Sequence, residues 1–182
     1  MRRPRPIREG ASPTRSPSVS GRLTSRTERS RSLEGDLLCG SKNSYLVTLV
    51  ERHTRYVMLA KIPSRDTQTV VNALIKQAKK LPDHLYQSLT WDRGVELTDH
   101  KRFTLATDIQ VYFCDPQSPW QRGSNENTNR LLRQYFPKRT DLSVHSQARL
   151  NYVARELNER PRETLGFKTP KEKFQACVAS TT

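Results

Sequence analysis

Long apolar runs are missing from this sequence of 182 residues. No stretch approaches the roughly 18 consecutive apolar residues that span a bilayer, and the N-terminus lacks the apolar segment of a secretory signal. Both absences point to a soluble, cytosolic chain. Cysteine is scarce: Cys39, Cys114 and Cys177 are odd in number, lie far apart and form no CxxC pair, which suggests neither a disulfide framework nor a zinc site. Reduced thiols in packed surroundings are expected. The four histidines, His53, His84, His100 and His145, show no paired metal spacing such as HxxxH and are assigned no catalytic role. The aromatic-rich motif with which common single-strand RNA binders stack bases is also absent. Acidic residues are the last shortage: 18 Asp and Glu face 32 Lys and Arg, a formal charge of +14. That excess favours a polyanionic partner, nucleic acid or an acidic membrane surface, without choosing between them.

Residues 1–32 contain nine arginines, no lysine, many Ser and Pro, and only Ile7, Val19 and Leu23 as sizeable aliphatics. Too little apolar surface is available there to offset chain entropy, so the segment reads as disordered. Its prolines argue against the amphipathic helix of an organellar transit peptide. Composition changes abruptly near Leu33, giving two units: 1–32, and a core over 33–182. In the core, Leu33–Cys39, Tyr45–Glu51 and Arg55–Ile62 read as three antiparallel strands, with Gly40 to Asn43 as a turn. Val70, Val71, Leu74, Ile75 and Ala78 then recur at helical spacing in a run ending near Leu81. A strand over Tyr86–Trp91, a short helix over Leu97–Ala106 and a strand over Ile109–Cys114 follow. Helix returns over Ser124–Tyr135, and the last helix spans Ser146–Asn158, stopped by Pro161. This order specifies an α/β chain: a mixed sheet of three antiparallel strands then two more, with flanking helices.

Three carboxylates stand out. Asp36 interrupts an apolar strand, where a buried carboxylate without a partner would cost several kcal/mol. Asp92 ends the fourth strand, and Glu126 sits in the first turn of a helix. Taken singly, each has an ordinary reading: an acid at a solvated strand end or beside an arginine, a turn residue, and an acid favoured by the helix dipole. Together they can meet at one sheet edge, where hard oxygen ligands suit Mg²⁺ or Mn²⁺. Two such ions about 4 Å apart support in-line phosphoryl displacement, as in DNA transesterification, a phosphatase or another nuclease. Around Glu126, the run Gln117 to Asn127 joins a rigid Pro119-Trp120 pair to a small polar stretch. Arg130 and Arg133, four and seven residues on, fall near the Glu126 face of a helix. With Arg93 and Asn125, they are the candidate DNA contacts.

The motifs Glu34-Gly35-Asp36-Leu37, Thr48 to Arg52, Trp91 to Gly94, Ser118 to Asn127 and Leu131 to Lys138 resemble the insertion sequence 30 family of bacterial transposases. So does the tail Asn158-Glu159-Arg160-Pro161-Arg162 with Thr169-Pro170. The 33 residues between Asp92 and Glu126 match the interval of that family. The resemblance implies a ribonuclease-H-like fold and a DDE triad of Asp36, Asp92 and Glu126 holding two Mg²⁺ or Mn²⁺ ions. It also implies cleavage at transposon ends, transfer of a 3′-hydroxyl into target DNA, a homo-oligomer on DNA and a nucleoid-associated, cytoplasmic location. Family members carry helix-turn-helix regions before the core and usually a Trp before Glu-Gly-Asp, so truncation or a frameshift upstream of Leu33 is expected. Arg139 stands where the family tends to have glycine, which strains the turn after Pro137 if that turn needs φ > 0. The rival reading is a catalytically inactive remnant that only binds DNA, salt-sensitively and with little sequence preference.

Overall fold

The computed structural model describes residues 32–82, 85–92, 95–115 and 123–180. The expectation for the Arg-Ser-Pro segment therefore lies outside the described residues, except that Ser32 already belongs to the first strand. Five strands, β1 (Ser32–Cys39), β2 (Tyr45–Glu51), β3 (Val57–Ile62), β4 (Ser88–Trp91) and β5 (Gln110–Phe113), form one sheet in the order β3-β2-β1-β4-β5. The first three pair antiparallel, whereas β4 joins β1 and β5 joins β4 in parallel. The α/β mixed sheet expected from the sequence is the one present. Among the described residues five helices flank it: α1 (Thr67–Ala78), α2 (His100–Thr107), α3 (Gly123–Leu132), α4 (Gln147–Glu159) and α5 (Pro170–Ala179).

Period-two alternation sends successive side chains of the inner strands to opposite faces. Leu33, Val47, Leu49 and Leu89 join Val70, Val71 and Leu74 of α1 and Phe103 of α2 in one core cluster. Leu38, Leu46 and Val50 face the other way and pack with Leu132, Phe136 and the α4 stripe Leu150, Val153, Ala154 and Leu157. The sheet is thus the middle of three layers. Edge strand β3 is covered by α4: Asn158 accepts the Val57 N–H at 2.8 Å and donates to the Val57 carbonyl at 2.9 Å. About three turns earlier on the same helix, Gln147 accepts the Lys61 N–H at 2.8 Å and donates to the Leu59 carbonyl at 2.9 Å. Side chains of a helix thereby stand in for the missing neighbour strand.

Several boundaries differ from the sequence expectation. β3 begins at Val57 rather than Arg55, because Arg55 is held left-handed at φ 63°. The helix read as Ser124–Tyr135 ends at Leu132. The helix read as the last is followed by α5, whose Thr169 accepts the Glu172 N–H while Glu172 reaches back to the Thr169 N–H, with Pro170 at the first helical position. Arg139 does adopt φ 65°, the left-handed geometry that costs a residue with a Cβ about 1–2 kcal/mol. Among the described residues, no helix is long and apolar enough to cross a membrane, and the three cysteines form no disulfide.

Candidate active site

The parallel pairing of β1 with β4 runs Ser32↔Ser88, Leu33↔Leu89 and Glu34↔Thr90, then stops. Carried two residues further, the same register sets Asp36 level with Asp92. Gly35 and Trp91, one step earlier, are in intimate contact: a Cβ on Gly35 would collide with the six-membered ring of Trp91. A glycine before Asp36 and a tryptophan before Asp92 therefore interlock where the two strands part. This is the carboxyl end of parallel strands, the place where open α/β sheets leave a crevice.

Asp36 is half-buried, inside β1 rather than at a strand end. Its Oδ1 accepts the Leu37 N–H at 2.8 Å, and its Oδ2 accepts a hydrogen bond from Asn129 Nδ2 of α3 at 2.9 Å. Asp92 is exposed, one residue past β4. Glu126 is exposed in the first turn of α3. Ser124, Asn125, Thr128 and Leu132 are the buried residues of that helix. Glu126 lies beside this face, and three residues before Asn129 it is a helical neighbour of the side chain that holds Asp36. The three carboxylates thus sit on β1, just past the end of β4, and on α3, the last two elements both bound to β1. Among the described residues, no three His, Cys, Asp or Glu side chains are gathered closely enough to hold a metal ion.

The four expected DNA contacts divide. Arg130 is exposed and donates to Asn127 Oδ1 at 3.0 Å. Arg133 is engaged with backbone, donating to the Cys39 carbonyl at 3.0 Å and the Phe136 carbonyl at 3.4 Å. Burial pulls its pKa down. Asn125 is fully buried, accepting the Thr48 hydroxyl at 3.1 Å, so its side chain faces the sheet and not solvent. Arg93 lies outside the described residues. A face read from helical spacing identifies which residues share a side, but not which side the sheet takes.

Sequence reasoning assigned no role to Glu34, which is fully buried. Its Oε2 accepts the Asn125 N–H at 2.8 Å, and its Oε1 forms an ion pair with Arg52 Nε at 2.8 Å. Burial raises its pKa, against the lowering effect of Arg52. The available signal was its two-residue offset from Asp36, which places both acids on one face of β1. The neighbouring Arg55 guanidinium donates to Ser124 Oγ.

Glu51 is also fully buried, accepting the N–H groups of His53 at 3.0 Å and Thr54 at 2.5 Å. Burial raises its carboxyl above the ordinary value of 4.5 despite these donors. The folded state therefore binds this proton more tightly than the unfolded chain, and stability falls as pH rises from the ordinary value through the raised one. Glu51→Gln removes this titration, so the melting temperature is expected to change less between pH 4 and pH 8 in the variant than in the parent; its amide oxygen accepts one of the two N–H groups and its NH2 neither. Thermal scans at both pH values check this, and an equal shift at both contradicts it.

A cavity of about 540 Å³ lies elsewhere, lined by residues from the end of α1 and the α2–β5 turn, including Leu81, Tyr86, Leu105 and Ile109. It opens at the start of β5, away from the carboxyl ends of β1 and β4.

Residues 26–119 match the integrase core domain family. The chain is 55% identical over 148 residues to the transposase InsI of insertion sequence element IS30A from Escherichia coli (strain K12), covering 81% of this chain and 39% of that protein. It is 46% identical over 150 residues to the transposase of element IS1086 from Cupriavidus metallidurans, covering 82% and 44%. It spans less than half the length of these relatives. In three dimensions it resembles the catalytic core domain of BIV integrase, with TM-score 0.64, 19% identity, and coverage of 84% of this chain and 98% of that one. The fold is thus the ribonuclease-H-like one that the sequence resemblance implied.

Proposed function

Because this chain belongs to the integrase core domain family, and by sequence to its insertion sequence 30 transposases, we propose that residues 33–182 form a transposase catalytic core. Its proposed reaction is hydrolysis of a DNA strand at the element's ends, which frees a 3′-hydroxyl, and then attack of that hydroxyl on a phosphate of target DNA with departure of the target strand's own 3′-oxygen. The observation that carries this reading is the β1–β4 register, which, continued two residues past its last pair, brings Asp36 level with Asp92, while α3, bearing Glu126, is tied to Asp36 through Asn129.

The residues fit a divalent cation. Asp36, Asp92 and Glu126 offer only hard oxygen donors, and Asn129 Oδ1 is buried without a partner among the described residues, an acceptor that a cation's water would satisfy. Mg²⁺ or Mn²⁺, two ions in this proposal, would activate the attacking oxygen and stabilise the leaving one. Asn129 orients Asp36 by fixing one of its oxygens. Arg130, with Arg93, supplies positive charge for backbone phosphates, and the +14 chain charge favours the same partner. A homo-oligomer that brackets two ends belongs to the same proposal.

Product analysis tests it. An end-bearing duplex incubated with the chain and Mg²⁺ or Mn²⁺ is expected to give a nick with a 3′-hydroxyl, then joined products with a second duplex, both abolished by chelation. Binding without nicking in either metal would favour the DNA-binding remnant.

A further inference from the structure

We infer that Glu34 is a positioning residue for Glu126, setting the height at which α3 presents that carboxylate to Asp36; this rests on the catalytic reading above. Two ties join β1 to α3. Glu34 accepts the Asn125 N–H at 2.8 Å, and Asp36 accepts from Asn129 Nδ2 at 2.9 Å. On the strand these anchors are two residues apart, about 6.6 Å. On the helix they are four residues apart, about 6 Å. The repeats match, so strand and helix run side by side in a fixed register. Thr48 of β2 braces both rungs, its single hydroxyl hydrogen shared between the Asp36 carbonyl at 3.2 Å and Asn125 Oδ1 at 3.1 Å.

The upper tie falls at a sensitive point. Asn125 carries one of the first-turn N–H groups that have no partner within their own helix, and the next residue is Glu126. A carboxylate there also complements the positive end of the helix dipole. Arg52, paired with Glu34 at 2.8 Å, and Arg55, donating to Ser124, fix the same turn from the β2–β3 connection. Removing Glu34 leaves every proposed metal ligand in the chain but frees the turn that holds one of them.

The test compares the parent with Glu34→Gln and with the double variant Glu34→Met/Arg52→Leu. Removing buried Glu34 together with its half-exposed partner Arg52 leaves no uncompensated charge, so the double variant separates loss of the tie from loss of the fold. The double variant is expected to show at least about tenfold faster amide exchange over residues 123–129, with the rest of the core protected, and Glu34→Gln, whose amide oxygen still accepts one N–H, a smaller rise. Mn²⁺ half-saturation should rise roughly fivefold or more. Nicking should fall about ten- to a hundredfold in kcat with KM for duplex unchanged, and raised Mn²⁺ should restore it in Glu34→Gln but not in Glu126→Gln. Parent-like exchange and Mn²⁺ affinity in both variants would overturn the inference while leaving the catalytic reading intact. A parent that neither binds Mn²⁺ nor nicks DNA would overturn both.

Discussion

Asp92→Ala is expected to abolish metal-dependent nicking, by roughly a hundred- to a thousandfold or more, while leaving duplex affinity within about twofold of the parent. Asp92 is exposed beyond the end of β4 and lends little to the core, so its truncation spares the fold. Its proposed contribution is an oxygen ligand facing Asp36 where β1 and β4 part. Phosphate binding draws instead on the basic surface, and removing one negative charge does not weaken it. The slope of log affinity against log salt should therefore be unchanged. Single-turnover nicking and fluorescence anisotropy at several salt concentrations measure the two properties on the same preparations. Parallel loss of binding and cleavage would make Asp92 structural, and undiminished cleavage would remove it from the site.

Asn158→Leu is expected to destabilise the chain by about 2–4 kcal/mol. Asn158 is buried and pairs with both backbone groups of Val57 on the outer side of β3. Leucine fills a similar volume but satisfies neither group, and each unpartnered buried group costs about 1–3 kcal/mol. The melting temperature should fall by roughly 2–4 °C per kcal/mol. Gln147→Leu makes the analogous change at Lys61, whose side is exposed. Water can replace the lost partner there, so the effect should be less than half as large. Denaturant unfolding of both variants checks the order, and equal losses would contradict the role given to burial. The Asn158 to Arg162 motif thus begins with a residue that closes a sheet edge.

The elements that stood out in the sequence are those written in local periodicity. Alternation in β1 and β2 and the Val70 to Ala78 stripe express burial directly, because each side chain answers to its own layer. The adjacency of β1 and β4 is a long-range pairing, and nothing local to Ser88–Trp91 names its neighbour. Gly35 and Trp91 supply the lock, but a missing Cβ tells nothing of which ring occupies the space. Asp36, Asp92 and Glu126 were legible as candidates through motif resemblance, whereas the burial of Glu34 and Asn125 depends on how α3 crosses the sheet. Arg133 donates to two backbone carbonyls, a use of an arginine near a helix end that spacing alone does not separate from a phosphate contact. Thr169 and Glu172 form a capping box with Pro170 at the first helical position, a start signal that a search for apolar stripes passes over.

The most direct measurement is single-turnover cleavage of an end-bearing duplex by the parent and by Glu126→Gln, side by side, in Mg²⁺ and in Mn²⁺. Glu126 is exposed on α3 and carries no core packing, so the amide changes a ligand and little else. The expected result is nicking by the parent in both metals and none by the variant, with equal duplex binding. Equal cleavage by the two proteins would contradict the assignment of Asp36, Asp92 and Glu126 as one metal-binding set.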